Sequence, residues 1–390
     1  MPIDPDFWGQ RRVLLTGHTG FKGAWLSLWL QSLGARVTGL AAGSPTDPSL
    51  YELAGVGAEM DERAVDVRDA EGVREALRQA SPEIVLHLAA QPMVRRSLRD
   101  PAMTYEVNVM GTVNVLEAVR QAGGEVRAVV VVTSDKCYEN PGHGGPGAHG
   151  ERTHGERAHG ERSSARDWPG THVEDRDSGA PAGRRFVEGD PLGGADPYSS
   201  SKACAELVTA AYRESFFFGE GTPRVATARA GNVIGGGDWG EDRLIGDVVR
   251  AAYTGEPVRV RNPGAVRPWQ HVLNPLSGYL RLAQELWRSE EAARAWNFGP
   301  REAQARSVGW IVERLGALWG GALSWELDEE VNPPEAEHLA LDSSNAERGL
   351  GWCPRWDLEE ALERVVEWHE AQRRGEDMRC VSLEQIAAFR

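Results

Sequence analysis

Lysine is nearly absent from this chain. Of 43 lysines and arginines only three are lysines, Lys22, Lys136 and Lys202, which leaves 40 arginines (43 minus 3). An arginine keeps its proton at every accessible pH, so a site that needs a cationic group able to release one cannot use it. Cysteine is scarce too: four residues, Cys137, Cys204, Cys353 and Cys380, lie far apart with no C-x-x-C spacing. That excludes a disulfide framework and a cysteine-built zinc site, no metal is expected, and a reducing cytoplasm is the expected compartment. Long hydrophobic runs are missing; AVVVV at 128–132 is strand length, far short of a bilayer span. The opening MPIDPDFWGQRR carries acids where a secretory signal needs a basic and then an apolar stretch. With a net charge of −15 the chain lacks the basic surplus that nucleic acid or an anionic membrane demands, so neither is an expected partner. A nucleotide substrate stays compatible, because phosphates need only a local positive pocket.

What is present is an ordinary globular balance, 41% hydrophobic and 26% charged over 390 residues. Residues 12–17 (RVLLTG), 35–41, 83–90 and 126–134 read as buried strands. Helical patterns over 21–34 and 104–123 separate them. This alternation predicts an α/β fold, a Rossmann-type doubly wound parallel sheet over residues 1–235. A further helix is expected over 196–217 and a strand over 224–235. From residue 236 to 390 the pattern turns irregular, with helices expected at 269–287 and 307–320. It reads as a smaller mixed α/β substrate lobe, some of whose segments return to the first core.

Residues 141–185 interrupt the rhythm with three HGER units, beginning at His149, His154 and His159. The stretch is nearly free of aliphatics, so it cannot bury a core and is expected to be a mobile low-complexity insert. Five of the ten histidines fall in it, but a five-residue step turns side chains by about 140° on a helix, so they would share no face for a metal.

Three constellations carry chemistry. The first is Gly17-x-x-Gly20-x-x-Gly23, set directly between a strand and a helix. Gly17 permits a tight turn, Gly20 lets backbone approach a pyrophosphate, and Gly23 allows close helix–sheet packing, while the helix end supplies amide N–H groups. The acid that usually follows the second strand is missing: Gly43 and Ser44 stand there, and no arginine is present to take a 2′-phosphate. NAD is therefore favoured over NADP. Asp66, after a third strand, is a candidate acceptor for the adenine amino group or else a helix N-cap.

The second constellation is Tyr198 and Lys202, four residues apart and hence on one helical face. A phenol with a pKa near ~10 is too weak a base at neutral pH, and a nearby ammonium would stabilise the phenolate. Ser134, ending a strand, would share a hydrogen bond with the same substrate hydroxyl. The third is Asp135-Lys136, inside TSDKCYEN at 133–140.

Taken with HLAAQPMVRRS (87–97), NVMGTVNVLE (108–117), RAGNVIGGGDW (229–239), RPWQHV (267–272) and WNFGP (296–300), these residues resemble the extended short-chain dehydrogenase/reductases, and within them the nucleotide-sugar 4,6-dehydratases. The likeness covers nearly the whole chain except the insert. It implies tightly held NAD, with Gly17, Thr19, Gly20, Phe21, Lys22, Gly23, Asp66, Val67, Leu88, Ala89, Ala90, Asn108, Thr133, Tyr198 and Lys202 around the cofactor. Lys22 would add charge near the phosphates or lie on the surface. The resemblance also implies Gln91, Asn232, Arg261 and Arg267 at the substrate. Through its TSDKCYEN and GNVIGGGDW versions the resemblance implies CDP-glucose as substrate; nothing in the residues themselves separates cytosine from thymine or uracil.

On this resemblance Tyr198, with Ser134 and Lys202, oxidises the sugar at C4. Asp135 acts as acid and Lys136 as base in the loss of water across C5 and C6, and hydride returns to C6. Asp135 would need burial to raise its pKa, and Lys136 must be able to lose its proton. The plainer reading is an ion pair between the two, with Tyr198 or water running the elimination. Helices 104–123 and 196–217 would pair across a homodimer, or a dimer of dimers, unless their stripes are simply core. Two other readings stay open: a 4-epimerase or dehydrogenase on the same fold, and an inactive NAD-binding sensor or scaffold.

Overall fold

The computed structural model describes residues 3–140, 185–240, 242–301, 305–321, 323–328 and 339–390. The HGER units lie outside them. The chain opens with a single-turn helix, α1 (Pro5–Trp8), whose cap Asp4 accepts from the Asp6 and Phe7 amides. There follow β1 (Arg12–Thr16), α2 (Phe21–Ser32), β2 (Arg36–Ala41), α3 (Leu50–Leu53), β3 (Asp61–Ala64), α4 (Ala70–Ala80) and β4 (Ile84–His87). Next come α5 (Val94–Arg99), α6 (Pro101–Tyr105), a π-helical turn at Glu106–Met110, α7 (Gly111–Gln121) and β5 (Ala128–Val132). Beyond the insert lie α8 (Pro197–Phe216), β6 (Arg224–Ala230), β7 (Val233–Ile234), α9 (Leu244–Thr254), β8 (Val258–Val260), β9 (Val266–Pro268) and β10 (Gln270–His271). The remainder is α10 (Leu273–Arg288), β11 (Ala295–Phe298), β12 (Ala305–Ser307), α11 (Val308–Leu318), β13 (Trp325–Leu327), α12 (Leu358–Arg373) and α13 (Met378–Phe389).

Seven strands form one sheet in the order β11-β6-β5-β4-β1-β2-β3, every neighbouring pair parallel. The pleat sorts its side chains onto two cores. Val13, Leu15, Ile84, Leu86 and Val130 face α2 and α10, whereas Leu14, Val85, Val129 and Val131 face α4 and α7. α2 is apolar on every side because it is covered on every side: Ala24 through Leu30 are all buried, and Trp29 meets Phe389 of α13 edge-on at 5.5 Å. Strand order reverses at β1, between β2 and β4, and in a sheet of this kind ligands bind beyond the carboxyl ends of the strands at that point.

β11, though it lies far beyond residue 236, joins the large sheet against β6. The smaller lobe builds a separate core from α9, α11 and α12 with β8, among them Val248, Val249, Ile311, Leu315, Leu362 and Val365. No helix among the described residues is long and apolar enough to cross a membrane.

Several sequence expectations shift. The helix expected over 104–123 begins at Pro101, because Asp100 caps it by accepting the Met103 amide at 3.1 Å, and a π turn interrupts it. Residues 270–271, expected to be helical, are extended: Asn232 and Ile234 carbonyls claim the Gln270 and Val272 amides at 3.1 and 2.8 Å, so α10 starts only at Leu273. Asp69, not Asp66, caps α4, accepting the Gly72 amide at 3.0 Å.

Candidate active site

The glycine turn fits a pyrophosphate for steric reasons that can be read residue by residue. Gly17 has φ +75°, and a Cβ there would lie 2.8 Å from the backbone of Ala89; a Cβ on Gly23 would lie 2.0 Å from the Gly17 carbonyl. Gly20 is the N-cap of α2 and no side chain caps the amides behind it, so that helix end is open to an anion. Thr16 Oγ1 accepts both the Leu88 and Ala89 amides at 3.1 Å and so ties the segment after β4 beside the turn. Asn108 bridges the Gln91 backbone, donating to its carbonyl at 3.0 Å and accepting its amide at 2.8 Å, and reaches Ser201 at 2.9 Å. Thr19 Oγ1 donates to the Gly43 carbonyl at 2.7 Å. The residues present therefore suit a dinucleotide.

The adenosine end differs from expectation. Asp66 is gripped by its neighbour Arg68, with contacts of 3.1 and 2.8 Å, and this holds its carboxyl below the usual range. Val67 is buried, and its carbonyl accepts from Asn114 at 2.8 Å. The acid missing after β2 has a neighbour on β3 that sequence reasoning passed over. Glu62 pairs with Gly39 across the strands, and its carboxylate meets His18 Nε2 at 2.8 Å and the Tyr51 hydroxyl at 2.6 Å.

At the carboxyl end of β5 the chain makes a tight turn, Asp135–Cys137, capped by Ser134, whose Oγ accepts the Lys136 amide at 3.2 Å. The same hydroxyl meets Asp135 Oδ1 at 2.9 Å and lies close enough to the Tyr198 phenol to favour its ionised form. Asp135 is buried, and burial pushes its carboxyl up against the opposing pull of Lys136, Ser134, Lys22 and Arg267. Its Oδ2 is buried without a hydrogen-bond partner among the described residues. Lys136 is half-buried, and its ammonium makes no hydrogen bond among the described residues.

Tyr198 sits in the first turn of α8, which is started by Asp196 as cap and Pro197. Burial raises its phenol to about 12, opposed by Ser134 and then by Arg243. Arg243, at the N-cap of α9, was not foreseen, since nothing local in sequence marks it. Lys202 shares the face of Tyr198, but its Nζ turns to the sheet and donates to the Val132 carbonyl at 3.3 Å. Burial lowers it to about 8, partly offset by Glu206. A buried ammonium must find a carbonyl and a carboxylate, and both lie on that side. Lys22 is half-buried and turned inward: burial and then Arg243 bring it to about 8, while Asp135 and Asp238 pull the other way.

The expected substrate residues divide. Arg267, on β9, is buried and within electrostatic reach of Asp135, with Nη1 donating to the Val266 carbonyl at 3.0 Å. The Asn232 side chain makes no hydrogen bond among the described residues. Arg261 is engaged elsewhere, donating to the Asp242 carbonyl at 3.2 Å, and Arg95 holds the Asp242 carboxylate at 3.1 Å. Gln91 is buried with its amide committed: it donates to Met93 O at 3.0 Å and Thr104 Oγ1 at 2.9 Å, and accepts the Met93 amide at 2.6 Å. In this structure it shapes the segment after β4.

Known proteins share the sequence and the fold. A family model described as GDP-mannose 4,6 dehydratase matches residues 14–145, and one described as NAD dependent epimerase/dehydratase family matches 174–299. The chain belongs to the NAD dependent epimerase/dehydratase family, whose description makes NAD its cofactor. Within it, the chain is 46% identical to the CDP-glucose 4,6-dehydratase of Salmonella typhimurium over 99% of its own length and 98% of the relative's. The dTDP-glucose 4,6-dehydratase of Streptomyces griseus is 28% identical over 79% of this chain and 77% of that one. Among solved structures, the NAD complex of Thermus thermophilus UDP-glucose 4-epimerase has the same fold at 23% identity, with a TM-score of 0.69 over 92% of this chain and 98% of that one. The dTDP-glucose 4,6-dehydratase of Bacillus anthracis with NAD matches at 20% identity and a TM-score of 0.67, over 94% and 99%.

Proposed function

We propose that this protein is an NAD-dependent hydro-lyase that converts CDP-glucose to CDP-4-keto-6-deoxyglucose. The observation that carries the reading is the meeting of Ser134, Asp135 and Tyr198 at one strand end beside the glycine turn, in a chain 46% identical along its length to a CDP-glucose 4,6-dehydratase. When bound, NAD supplies the hydride acceptor and later the donor. Tyr198 takes the proton of the sugar 4-hydroxyl, with Ser134 fixing the direction of that bond. The resulting ketone acidifies C5–H. Asp135, whose carboxyl burial pushes up toward its acid form, hands a proton to the departing 6-hydroxyl, and Lys136 removes the C5 proton. Gly17, Gly20 and Gly23 with the start of α2 would cradle the cofactor phosphates, and Asn232 and Arg267 the substrate pyrophosphate. The outcome is loss of water without net oxidation.

We also infer a homodimer. Met110 is 50% and Leu207 58% exposed on neighbouring helical segments, where a second copy would cover them. A cytoplasmic location is in keeping with four free cysteines.

The test is direct: incubate the protein with NAD and CDP-glucose and follow the alkaline ultraviolet absorbance of a 4-keto-6-deoxy product. Turnover to a C4 epimer with water retained would instead identify an epimerase, and no turnover would leave a binding protein.

A further inference from the structure

A buried ion pair lies behind the reacting side chains. Glu206, one helical turn after Lys202 on α8, and Arg229, on β6, are 3% and 4% exposed. The Arg229 fork donates to the two carboxylate oxygens at 2.9 and 2.8 Å. Thr227 Oγ1 donates to one of those oxygens at 2.7 Å, and Thr133 Oγ1 makes a short bond to the other. The carboxylate thus takes four donors, as many as its lone pairs accommodate. Arg229 Nη1 then donates to the Tyr138 hydroxyl at 2.7 Å and to the Glu188 carbonyl at 3.1 Å. Tyr138 passes the chain on, donating to Asn297 Oδ1 at 2.7 Å, and Asn297 Nδ2 holds the Phe186 carbonyl at 2.9 Å.

Thr133 and Tyr138 stand immediately before and after Ser134–Cys137. Both are bonded to the same ion pair, one to its acid and the other to its base. We propose that the Glu206–Arg229 pair is a positioning device that clamps both ends of the turn bearing Ser134, Asp135 and Lys136 and so fixes their placement against the substrate. The proposal rests on the functional reading above for what those three residues do. A role in stability alone explains the pair poorly, because replacing a buried ion pair by apolar side chains is commonly neutral or stabilising. What apolar side chains would not supply is direction: the Thr133 hydroxyl is fixed by Glu206, and the Tyr138 hydroxyl is held between Arg229 and Asn297. Glu206 also lies close enough to Lys202 to support its charge.

Two variants and three measurements test this. Arg229→Lys keeps the charge and loses the fork; Tyr138→Phe removes one hydroxyl and keeps the ring stacked on Phe186 at 4.9 Å. In each, kcat for CDP-glucose dehydration should fall about tenfold or more, with KM within about twofold and the melting temperature nearly unchanged for Tyr138→Phe. Amide hydrogen exchange in the peptide covering 133–138 should quicken about tenfold in the free protein while β1 and β4 stay protected. Should Arg229→Lys fail to fold, Tyr138→Phe decides. Wild-type kcat in Tyr138→Phe overturns the proposal, and so does a fall in kcat matched by a lost melting temperature. Should the wild-type protein not dehydrate CDP-glucose, the functional reading fails by itself. Exchange at 133–138 then decides the clamp, and unchanged exchange rejects it.

Discussion

Gly231 leaves the space that Asp135 occupies: a Cβ on Gly231 would stand 2.8 Å from Asp135 Oδ2 and 3.3 Å from the Pro268 ring. The carboxyl is walled in by backbone, and this is the burial that raises its pKa. In Gly231→Ala either the carboxyl or Pro268 must move. Overpacking of this kind costs about 1–3 kcal/mol. The dehydration rate should fall by more than that cost implies, about tenfold or more, because the acid is displaced from its target. NAD affinity, measured by titration, should be retained. An alanine variant that dehydrates at the wild-type rate would mean that Asp135 is not the acid.

Lys136→Arg separates oxidation from elimination. The variant keeps a cation next to Asp135 and loses a group that can release a proton. Mixed with NAD and CDP-glucose it should show reduced cofactor building up, with little 4-keto-6-deoxy product. Normal product formation would transfer the base role to another group.

These two positions were legible in the sequence to different degrees. Gly17, Gly20 and Gly23, and the pair Tyr198 and Lys202, carry local spacing that reflects a turn and one helical face, and both features hold in the structure. The parallel, doubly wound sheet followed from the alternation of strands and helices. Long-range partners leave no such trace. Arg229 and Glu206 are 23 residues apart, Asn297 lies 159 residues from Tyr138, and Arg243 reaches Tyr198 from the start of a helix in the other lobe. The segment 269–272 misled because its apolar pattern runs on into α10, while the hydrogen bonds that make it extended come from Asn232 and Ile234. Glu62 went unnoticed since its partner His18 is 44 residues away.

The exposed apolar residues on the 106–110 turn and on α8 give a test of assembly. Leu207→Glu puts a charge where a second copy of the chain would cover the surface, yet at 58% exposure it costs the single chain little. Sedimentation should show a dimer for the wild type and a monomer for the variant, with the melting temperature nearly unchanged when both are measured as dilute monomers. A wild-type monomer at micromolar concentration would remove the interface.

Lys202 should make the free protein less stable at neutral pH than it could be. The side chain is 6% exposed, and burial lowers it from 10.5 to about 8. Below about pH 8 the folded state carries the full cost of a buried ammonium. Between about 8 and 10.5 the unfolded chain binds the extra proton and the folded chain does not, so the cost fades as pH rises. Lys202→Met, of similar length and neutral, should therefore raise stability in the absence of NAD by about 2 kcal/mol at pH 7, after allowing for the lost bond to the Val132 carbonyl. The advantage should shrink steadily through the alkaline window, and 4-hydroxyl oxidation should be lost at every pH. Thermal melts of both proteins across that range measure it. A gap that stays constant with pH would show that the ammonium is not the source, and a variant less stable than wild type at pH 7 would show that Glu206 and the Val132 carbonyl more than offset the burial of the charge.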